Sequence, residues 1–233
     1  MMKGVIFDFN GALFYDTDKH IVAWSRYLET HCHYTPTEEE FKNIIIGSTN
    51  TAILRHFVDK DITPERVIAA VEEKERLYFQ ACLEDPDCLH LTAGAEEFFD
   101  LLTARGIPFM IATGSAKQNM DFYFERLPIG RWFSYESNII YDDYSRRGKP
   151  HPDIYLDAAK QLNLPIGECA VFEDGIPGYS SAEAAGAGAI VMVGSPENTA
   201  GFEKLPAVTE IIRDFRKPKM LLTRLGFTNS ESR

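Results

Sequence analysis

Four short runs of consecutive apolar residues constrain the fold of this chain more than any other feature of its sequence. Each run is continuous rather than alternating, which is typical of strands in a parallel sheet that is covered on both faces. Helical patterns that end near glycine or asparagine lie between the later runs. We therefore predict a doubly wound α/β sheet, in which ligands bind at the carboxyl ends of the strands. The runs are residues 4–7, 109–112, 169–172 and 189–193, and the helical patterns are residues 95–105, 158–162 and 180–185.

A long helical segment interrupts this alternation after the first strand. Between residues 19 and 90 the apolar side chains have helical spacing, which predicts four or so helices and no strand. Pro36 and Pro64 each follow a threonine, so Thr35 and Thr63 are the predicted N-caps of two of these helices. The predicted organisation is an α/β core of residues 1–15 and 91–228, an inserted helical cap of residues 16–90, and a frayed polar tail of residues 229–233.

Composition and charge exclude several classes of protein. The 233 residues are 45% hydrophobic and 25% charged, which excludes disordered and low-complexity chains. The formal net charge of −11 disfavours binding to nucleic acid or to an anionic membrane surface. No pair of the four cysteines has zinc-site or redox-motif spacing, and no run approaches the roughly 18 apolar residues of a membrane span. We expect a cytoplasmic protein with reduced thiols.

Four short polar motifs fall at or just after predicted strand ends or open a helix. Alone, each has an ordinary explanation as a turn, a helix cap or a surface loop. Because the carboxyl ends of parallel strands share one edge of the sheet, we expect the four motifs to meet there. They are Asp8-Phe9-Asn10-Gly11, Thr113-Gly114-Ser115, Lys149-Pro150-His151-Pro152-Asp153 and Glu173-Asp174-Gly175.

The side chains of these motifs are typical of phosphoryl transfer. Asp8 and Asp174 would converge at the sheet edge, and two like charges at close range are costly unless a cation lies between them. Hard oxygen ligands suit Mg²⁺. The hydroxyl of Thr113 and the ammonium of Lys149 would then hold phosphate oxygens, and a carboxylate would act as the nucleophile.

The order of the motifs, with a helical insertion after the first, resembles the haloacid dehalogenase superfamily. Within it, the chain is similar to the β-phosphoglucomutase-like proteins that carry an α-helical cap, from residue 3 to about residue 225. The resemblance implies a Rossmann-like core and a cap that closes over the substrate. It also implies that Asp8 is the nucleophile that forms an aspartyl-phosphate, and that Asp8 binds Mg²⁺ together with the backbone carbonyl of Asn10.

The same resemblance assigns roles to the other motifs. Thr113 and the N–H of Gly114 are implied to bind the phosphoryl group. Lys149 is implied to neutralise the charge on the transferring group. Asp174 is an implied metal ligand, and Glu173 is implied to bind the metal directly or through water.

Two departures from the family pattern bear on activity. The second motif-one residue is usually an aspartate that exchanges protons with the leaving group and with water, but here it is Asn10, and a carboxamide cannot exchange a proton near pH 7. Either the enzyme is slow, its leaving group is good, another group such as His20 near the cap hinge takes the role, or Asn10 is an introduced residue. The second departure is in the cap loop at residues 47–51, where mutase relatives carry an arginine and this chain has Asn50 at the position predicted to contact substrate.

These observations predict a Mg²⁺-dependent phosphatase that acts on a small phosphorylated metabolite, such as a sugar phosphate, through an aspartyl-phosphate on Asp8. One alternative is a sugar phosphomutase of the β-phosphoglucomutase type. Another is a low-turnover protein that binds phosphorylated metabolites, because Asn10 replaces the usual acid and base. We expect a monomer that uses neither nucleic acid nor membrane as a partner.

Overall fold

The computed structural model describes residues 1–45, 49–143, 145–194 and 199–227. The chain divides into two compact units, one of Met1–Tyr15 with His90–Arg233 and the other of Asp16–Leu89. The predicted tail at residues 229–233 lies outside the described residues. None of the helices in the described ranges is both long and apolar enough to cross a membrane.

The first unit is built on a six-stranded sheet in which every pairing is parallel. The central strand β1 pairs with β2 on one side and β4 on the other, so the direction of strand succession reverses at β1. Ligands bind at such a reversal point in open α/β sheets. The predicted doubly wound parallel sheet is confirmed. In the order β3-β2-β1-β4-β5-β6, the strands are β1 (Gly4–Phe7), β2 (Phe109–Ala116), β3 (Ile139–Asp142), β4 (Cys169–Glu173), β5 (Ala189–Val193) and β6 (Glu210–Ile212).

The sequence patterns missed β3 and β6 and placed the end of β2 too early. Both missed strands lie at the edges of the sheet; β6 is only three residues long and half-buried, so it lacks a continuous buried run. Strand β2 continues to Ala116, and its register against β3 shifts between Ala112 and Ala116. Residues 113–115 therefore lie within the irregular end of β2 rather than after it.

The second unit is helical. Its described residues contain no strand, and its apolar core is formed by side chains that include Trp24, Leu28, Ile53 and Leu54. A turn of π-helix, Phe41–Ile45, follows α2, and a turn of 3₁₀-helix, Pro86–Cys88, follows α4. The helices are α1 (Thr17–Cys32), α2 (Glu38–Glu40), α3 (Asn50–Phe57) and α4 (Pro64–Glu84).

One of the two predicted helix caps is confirmed and the other is wrong. Thr63 caps α4 by accepting a hydrogen bond from the amide of Arg66, and Pro64 is the first helical residue. Thr35 does not cap a helix, because α2 begins later, at Glu38. There Thr37 and Glu40 form a reciprocal capping box that satisfies two otherwise unpaired amides.

Helices cover both faces of the sheet. Ile6 packs in a buried cluster with residues of α7 and α8, whereas Phe7 points to the opposite face and contacts Phe98, Phe99 and Phe215 at ring-centre distances of 5.4–6.1 Å. This alternation follows from the two-residue repeat of a strand. Helix α7 begins at Asp153, where the third motif was predicted to open a helix. Helix α8 begins earlier than predicted, because a proline in its first turn, which a helix tolerates there, hides the start. The helices of this unit are α5 (Ala95–Ala104), α6 (Lys117–Arg126), α7 (Asp153–Gln161), α8 (Ile176–Ala185), α9 (Thr199–Phe202) and α10 (Pro218–Arg224).

Candidate active site

The first predicted motif follows β1 directly and closes into a tight turn. The amide of Asp8 donates to the carbonyl of Phe172 at 2.8 Å, so Asp8 lies where β1 and β4 end side by side. Gly11 has a φ angle of +75°, a conformation that favours glycine. A Cβ atom on Gly11 would lie 1.9 Å from Oδ2 of Asp174, so the close approach of that carboxylate also requires glycine. The first and fourth motifs therefore meet at this turn.

Lys149 connects the third motif to the same place. It lies in the loop before α7, and its Nζ atom donates to Oδ1 of Asp8 at 2.8 Å and to Oε1 of Glu173 at 2.6 Å. Burial alone would lower the pKa of Lys149, but the charges of Asp8 and Glu173 outweigh it and hold this pKa well above the usual value. Lys149 is therefore a permanent cation between two carboxylates.

Asp8 is buried, and its surroundings oppose its ionisation. The pKa of Asp8 is raised to about 7, because burial and the charge of Glu173 raise it by more than the charge of Lys149 lowers it. Lys149 by itself thus does not keep Asp8 fully ionised at neutral pH. A further positive charge beside Asp8 would stabilise the carboxylate form.

Three carboxylates at this edge have the geometry and the chemistry of a site for a hard divalent cation. Asp8, Glu173 and Asp174 each offer one oxygen, and these oxygens lie within 4.8 Å of one another. The donors are all oxygens, which are the ligands that Mg²⁺ prefers. Lys149 brings one positive charge to three carboxylates, and a divalent cation would balance the other two. The residues present therefore fit Mg²⁺.

Glu173 is held by both of its carboxylate oxygens. Besides Lys149, the hydroxyl of Tyr155 donates to Oε1, and the amides of Asp174 and Gly175 donate to Oε2 at 3.1 and 3.5 Å. Burial, followed by the charge of Glu173, raises the pKa of Tyr155 well above its usual value, so its hydroxyl remains a donor. Sequence reasoning missed Tyr155, because nothing in the pattern of α7 shows that its hydroxyl would reach β4.

Asn10 is also fixed through both ends of its side chain. Ser115 donates from Oγ to Oδ1 of Asn10 at 2.6 Å, and Nδ2 of Asn10 donates to the hydroxyl of Tyr123 at 2.7 Å. Tyr123 is fully buried and stacks on Phe9 at 4.6 Å. Sequence reasoning connected neither Tyr123 nor the hydroxyl of Ser115 with Asn10, so this link between the first and second motifs was missed.

Thr113 and Gly114 occupy the end of β2, next to β1. Thr113 is buried, and its Oγ1 accepts a hydrogen bond from the amide of Ser115 at 3.1 Å. Gly114 is exposed, and among the residues that the structure describes a Cβ atom added to it would meet nothing within 4 Å. The second motif therefore presents an open backbone beside a buried hydroxyl.

The two site residues predicted in the helical insertion belong to the second unit. His20, on α1, accepts at Nδ1 from Lys74 Nζ at 2.8 Å, and its Nε2 lies 3.3 Å from Oδ2 of Asp16. Its ring stacks on Tyr78 at 4.1 Å. Asn50 is the first residue of α3, whereas residues 47 and 48 of the predicted substrate loop lie outside the described residues. The roles of His20 and Asn50 stay predictions.

Comparison with known proteins places the chain in a family. A family model for haloacid dehalogenase-like hydrolases matches residues 2–186. Hexitol phosphatase A of Escherichia coli is 31% identical over 199 residues, which are 84% of this chain and 85% of the relative. The bifunctional riboflavin kinase/FMN phosphatase of Arabidopsis thaliana is 29% identical over 152 residues, which are 64% of this chain but only 39% of that longer protein.

Solved structures agree with this assignment. A family IA, variant 3 hydrolase of the same superfamily from Entamoeba histolytica superposes with a TM-score of 0.89 at 33% identity, covering 96% of this chain and 99% of the other. A β-phosphoglucomutase from Clostridium difficile superposes with a TM-score of 0.76 at 21% identity, covering 97% of each chain, and shows the shared fold. The resemblance predicted from the four motifs is confirmed, and the chain belongs to the haloacid dehalogenase-like hydrolases.

Proposed function

We propose that this hydrolase is a Mg²⁺-dependent phosphatase of a small phosphate monoester, with a sugar or polyol phosphate as the substrate class. The observation that carries the proposal is the hydrogen bonding of Lys149 to both Asp8 and Glu173, beside Asp174, at the end of the central strands. Such a site combines a nucleophilic carboxylate, a fixed cation and hard oxygen ligands. The phosphatase named for hexitols among the relatives supports the substrate class.

In the first step, a carboxylate oxygen of Asp8 attacks the phosphorus of the monoester. The new bond joins Asp8 to the phosphoryl group, and the bond between phosphorus and the ester oxygen breaks. The alcohol oxygen leaves with the electron pair and takes up a proton from His20, the proposed acid, or from solvent water. In the second step, water attacks the phosphorus of the aspartyl-phosphate, which releases inorganic phosphate and restores the Asp8 carboxylate.

The surrounding donors stabilise the charge of the transferring group. The ammonium of Lys149 neutralises the phosphoryl oxygens, where a fixed cation stabilises the transition state more than water does. Thr113 accepts a hydrogen bond from the amide of Ser115 and would use its own hydroxyl proton to donate to a phosphoryl oxygen. The N–H of Gly114, an exposed residue at the end of β2, would donate to a second oxygen.

The residues that would hold Mg²⁺ are Asp8 and Asp174, with Glu173 direct or through water, and the backbone carbonyl of Asn10. When bound, Mg²⁺ supplies positive charge that polarises the phosphoryl group. Asp8 would thereby remain ionised in spite of its burial.

Asn10 sets the limit on rate in this proposal. A carboxamide can orient the leaving group but cannot give it a proton, and a missing general acid and base costs about 10²–10⁴ in rate. His20 is the proposed replacement, and Asn50 is the proposed substrate contact in the helical cap. In the same proposal the enzyme acts as a cytoplasmic monomer on a diffusible substrate.

The direct test is a panel of sugar, polyol and nucleoside monophosphates incubated with the protein and Mg²⁺, with release of inorganic phosphate as the measurement. We expect release from at least one sugar or polyol phosphate, and its loss in Asp8→Asn and after addition of EDTA. Undiminished release by Asp8→Asn would overturn the assignment of the nucleophile. Conversion of a sugar phosphate into its isomer without net phosphate release would favour the mutase.

A further inference from the structure

Tyr155 is a buried side chain in the site to which the proposed mechanism assigns no role. It lies on α7 and is fully buried, and its hydroxyl donates to Oε1 of Glu173. The same oxygen accepts from Lys149 Nζ at 2.6 Å, and that ammonium lies 5.2 Å from the centre of the Tyr155 ring. Tyr155 therefore contacts both members of the ion pair at once.

The hydroxyl of Tyr155 is one of four hydrogen-bond donors around the carboxylate of Glu173. Oε1 uses Lys149 and Tyr155, and Oε2 uses the amides of Asp174 and Gly175. The backbone amides hold one end of the carboxylate, and the tyrosine hydroxyl holds the end that faces Lys149.

The space around Glu173 is shaped for this one orientation. Gly178 of α8 packs directly against the carboxylate, because a Cβ atom there would lie 1.8 Å from Cδ of Glu173. Without the hydroxyl of Tyr155, Oε1 of Glu173 keeps Lys149 as its only donor among the four described above. The lysine side chain is long and flexible, so its ammonium is placed only as firmly as its partners are.

From this arrangement we propose that Tyr155 is a positioning residue for phosphoryl transfer. Its hydroxyl fixes Glu173, and Glu173 in turn holds Lys149 at the point where the ammonium also reaches Asp8. The proposal rests on the proposed function for the step that Lys149 serves. Small displacements of a catalytic group can reduce a rate about a hundredfold. Loss of the Tyr155 hydroxyl can therefore lower kcat although the hydroxyl need not touch the substrate.

The variant Tyr155→Phe tests this, since it keeps the buried ring and removes only the hydroxyl. On the best substrate of the panel we expect kcat to fall about ten- to a hundredfold while KM changes less than about threefold. The matched control is Tyr179→Phe in the same unit, where the hydroxyl of the buried tyrosine donates to Glu183 at 2.8 Å and accepts from the amide of Ala207 at 3.2 Å, neither of which is a proposed site residue. Its kcat should stay unchanged. An unchanged kcat in Tyr155→Phe, or an equal fall in both variants, overturns the proposal.

A double-mutant cycle shows whether Tyr155 acts through Glu173. Tyr155→Phe, Glu173→Met and the double variant are compared with the parent by urea unfolding in EDTA, which needs neither metal nor substrate. Methionine at position 173 offers no strong acceptor, so if the hydroxyl acts on Glu173, the effect of Tyr155→Phe is smaller in the Glu173→Met background. Additive effects contradict it.

The two measurements also separate this inference from the proposed function. If the parent protein releases phosphate and Tyr155→Phe does so equally fast, the function stands and the positioning role fails. If the parent releases phosphate from no compound, the proposed function fails and the positioning of a catalytic lysine fails with it. The unfolding cycle then decides only whether the hydroxyl holds Glu173.

Discussion

Gly178 offers the sharpest test of how the site is built, because replacing it with alanine adds one carbon atom directly against Glu173. The added Cβ would lie 1.8 Å from Cδ and 1.9 and 2.1 Å from the two carboxylate oxygens. Carbon atoms that are not bonded normally lie about 3.5 Å apart or more. Either α8 or the carboxylate must therefore move by more than about 1 Å to relieve the overlap.

Both ways of relieving the overlap are costly. A shift of α8 is overpacking at the upper end of its usual range, about 3 kcal/mol. A rotation of Glu173 breaks its hydrogen bonds to Lys149 and Tyr155, and two hydrogen bonds to a charged group contribute at least about 3 kcal/mol. Alanine recovers about 1 kcal/mol through its higher helix propensity. The net destabilisation is therefore about 2 kcal/mol, which lowers the melting temperature by about 4–8 °C in a chain of this size.

The assay compares Gly178→Ala with Gly201→Ala, a glycine of α9 where an added Cβ would meet no atom of the described residues within 4 Å. Thermal unfolding by circular dichroism should show the melting temperature falling in Gly178→Ala and unchanged or slightly raised in Gly201→Ala. Phosphate release should fall at least about tenfold in Gly178→Ala alone, because Lys149 loses its partner. If the two variants are equally stable and equally active, Glu173 does not lie against α8 and the reasoning is refuted.

Three further outcomes follow from the same structure. Asn10→Asp should raise phosphate release near pH 7 by a factor of up to about 10²–10⁴, because a carboxyl group can exchange the proton that a carboxamide cannot. The hydroxyl of Ser115 can donate to a carboxylate as well as to an amide, so the contact at position 10 is kept. An unchanged kcat would show that another group already supplies the proton. Burial raises the pKa of Cys82 to about 12 and that of Cys169 to about 11, so both remain unreactive thiols at pH 8 and gain thiolate only as the pH approaches those values; prompt labelling of either by a thiol reagent in the native protein, mapped by mass spectrometry, would contradict this. Phe7→Ala should reduce the free energy of unfolding by about 3–5 kcal/mol in urea titrations, since Phe7 is fully buried among aromatic rings, and a loss below about 1 kcal/mol would be inconsistent with that packing.

The sequence by itself determined the buried strands, the sheet edge that carries the acidic residues, and the family of this protein. The continuous apolar runs at residues 4–7 and 189–193 could be assigned to buried parallel strands because a strand covered on both faces needs apolar residues at every position. Asp8 and Asp174 could be placed at one sheet edge because each directly follows a strand. The order of the motifs was enough for the family, which the comparisons then confirmed.

Only the tertiary structure decided which side chains meet. Lys149 and Asp8 are 141 residues apart, and Tyr155 and Glu173 lie on different elements, so their contacts depend on strand register and on the rotation of α7 against the sheet. The pairing of Lys149 with Glu173 as well as Asp8 arises in the same way, and so does the hydrogen bond between Asn10 and Tyr123. A hydrogen bond requires its donor and acceptor to be placed to within a few tenths of an ångström. The pattern of apolar and polar residues along the chain places helices and strands only to within a residue or a helical turn.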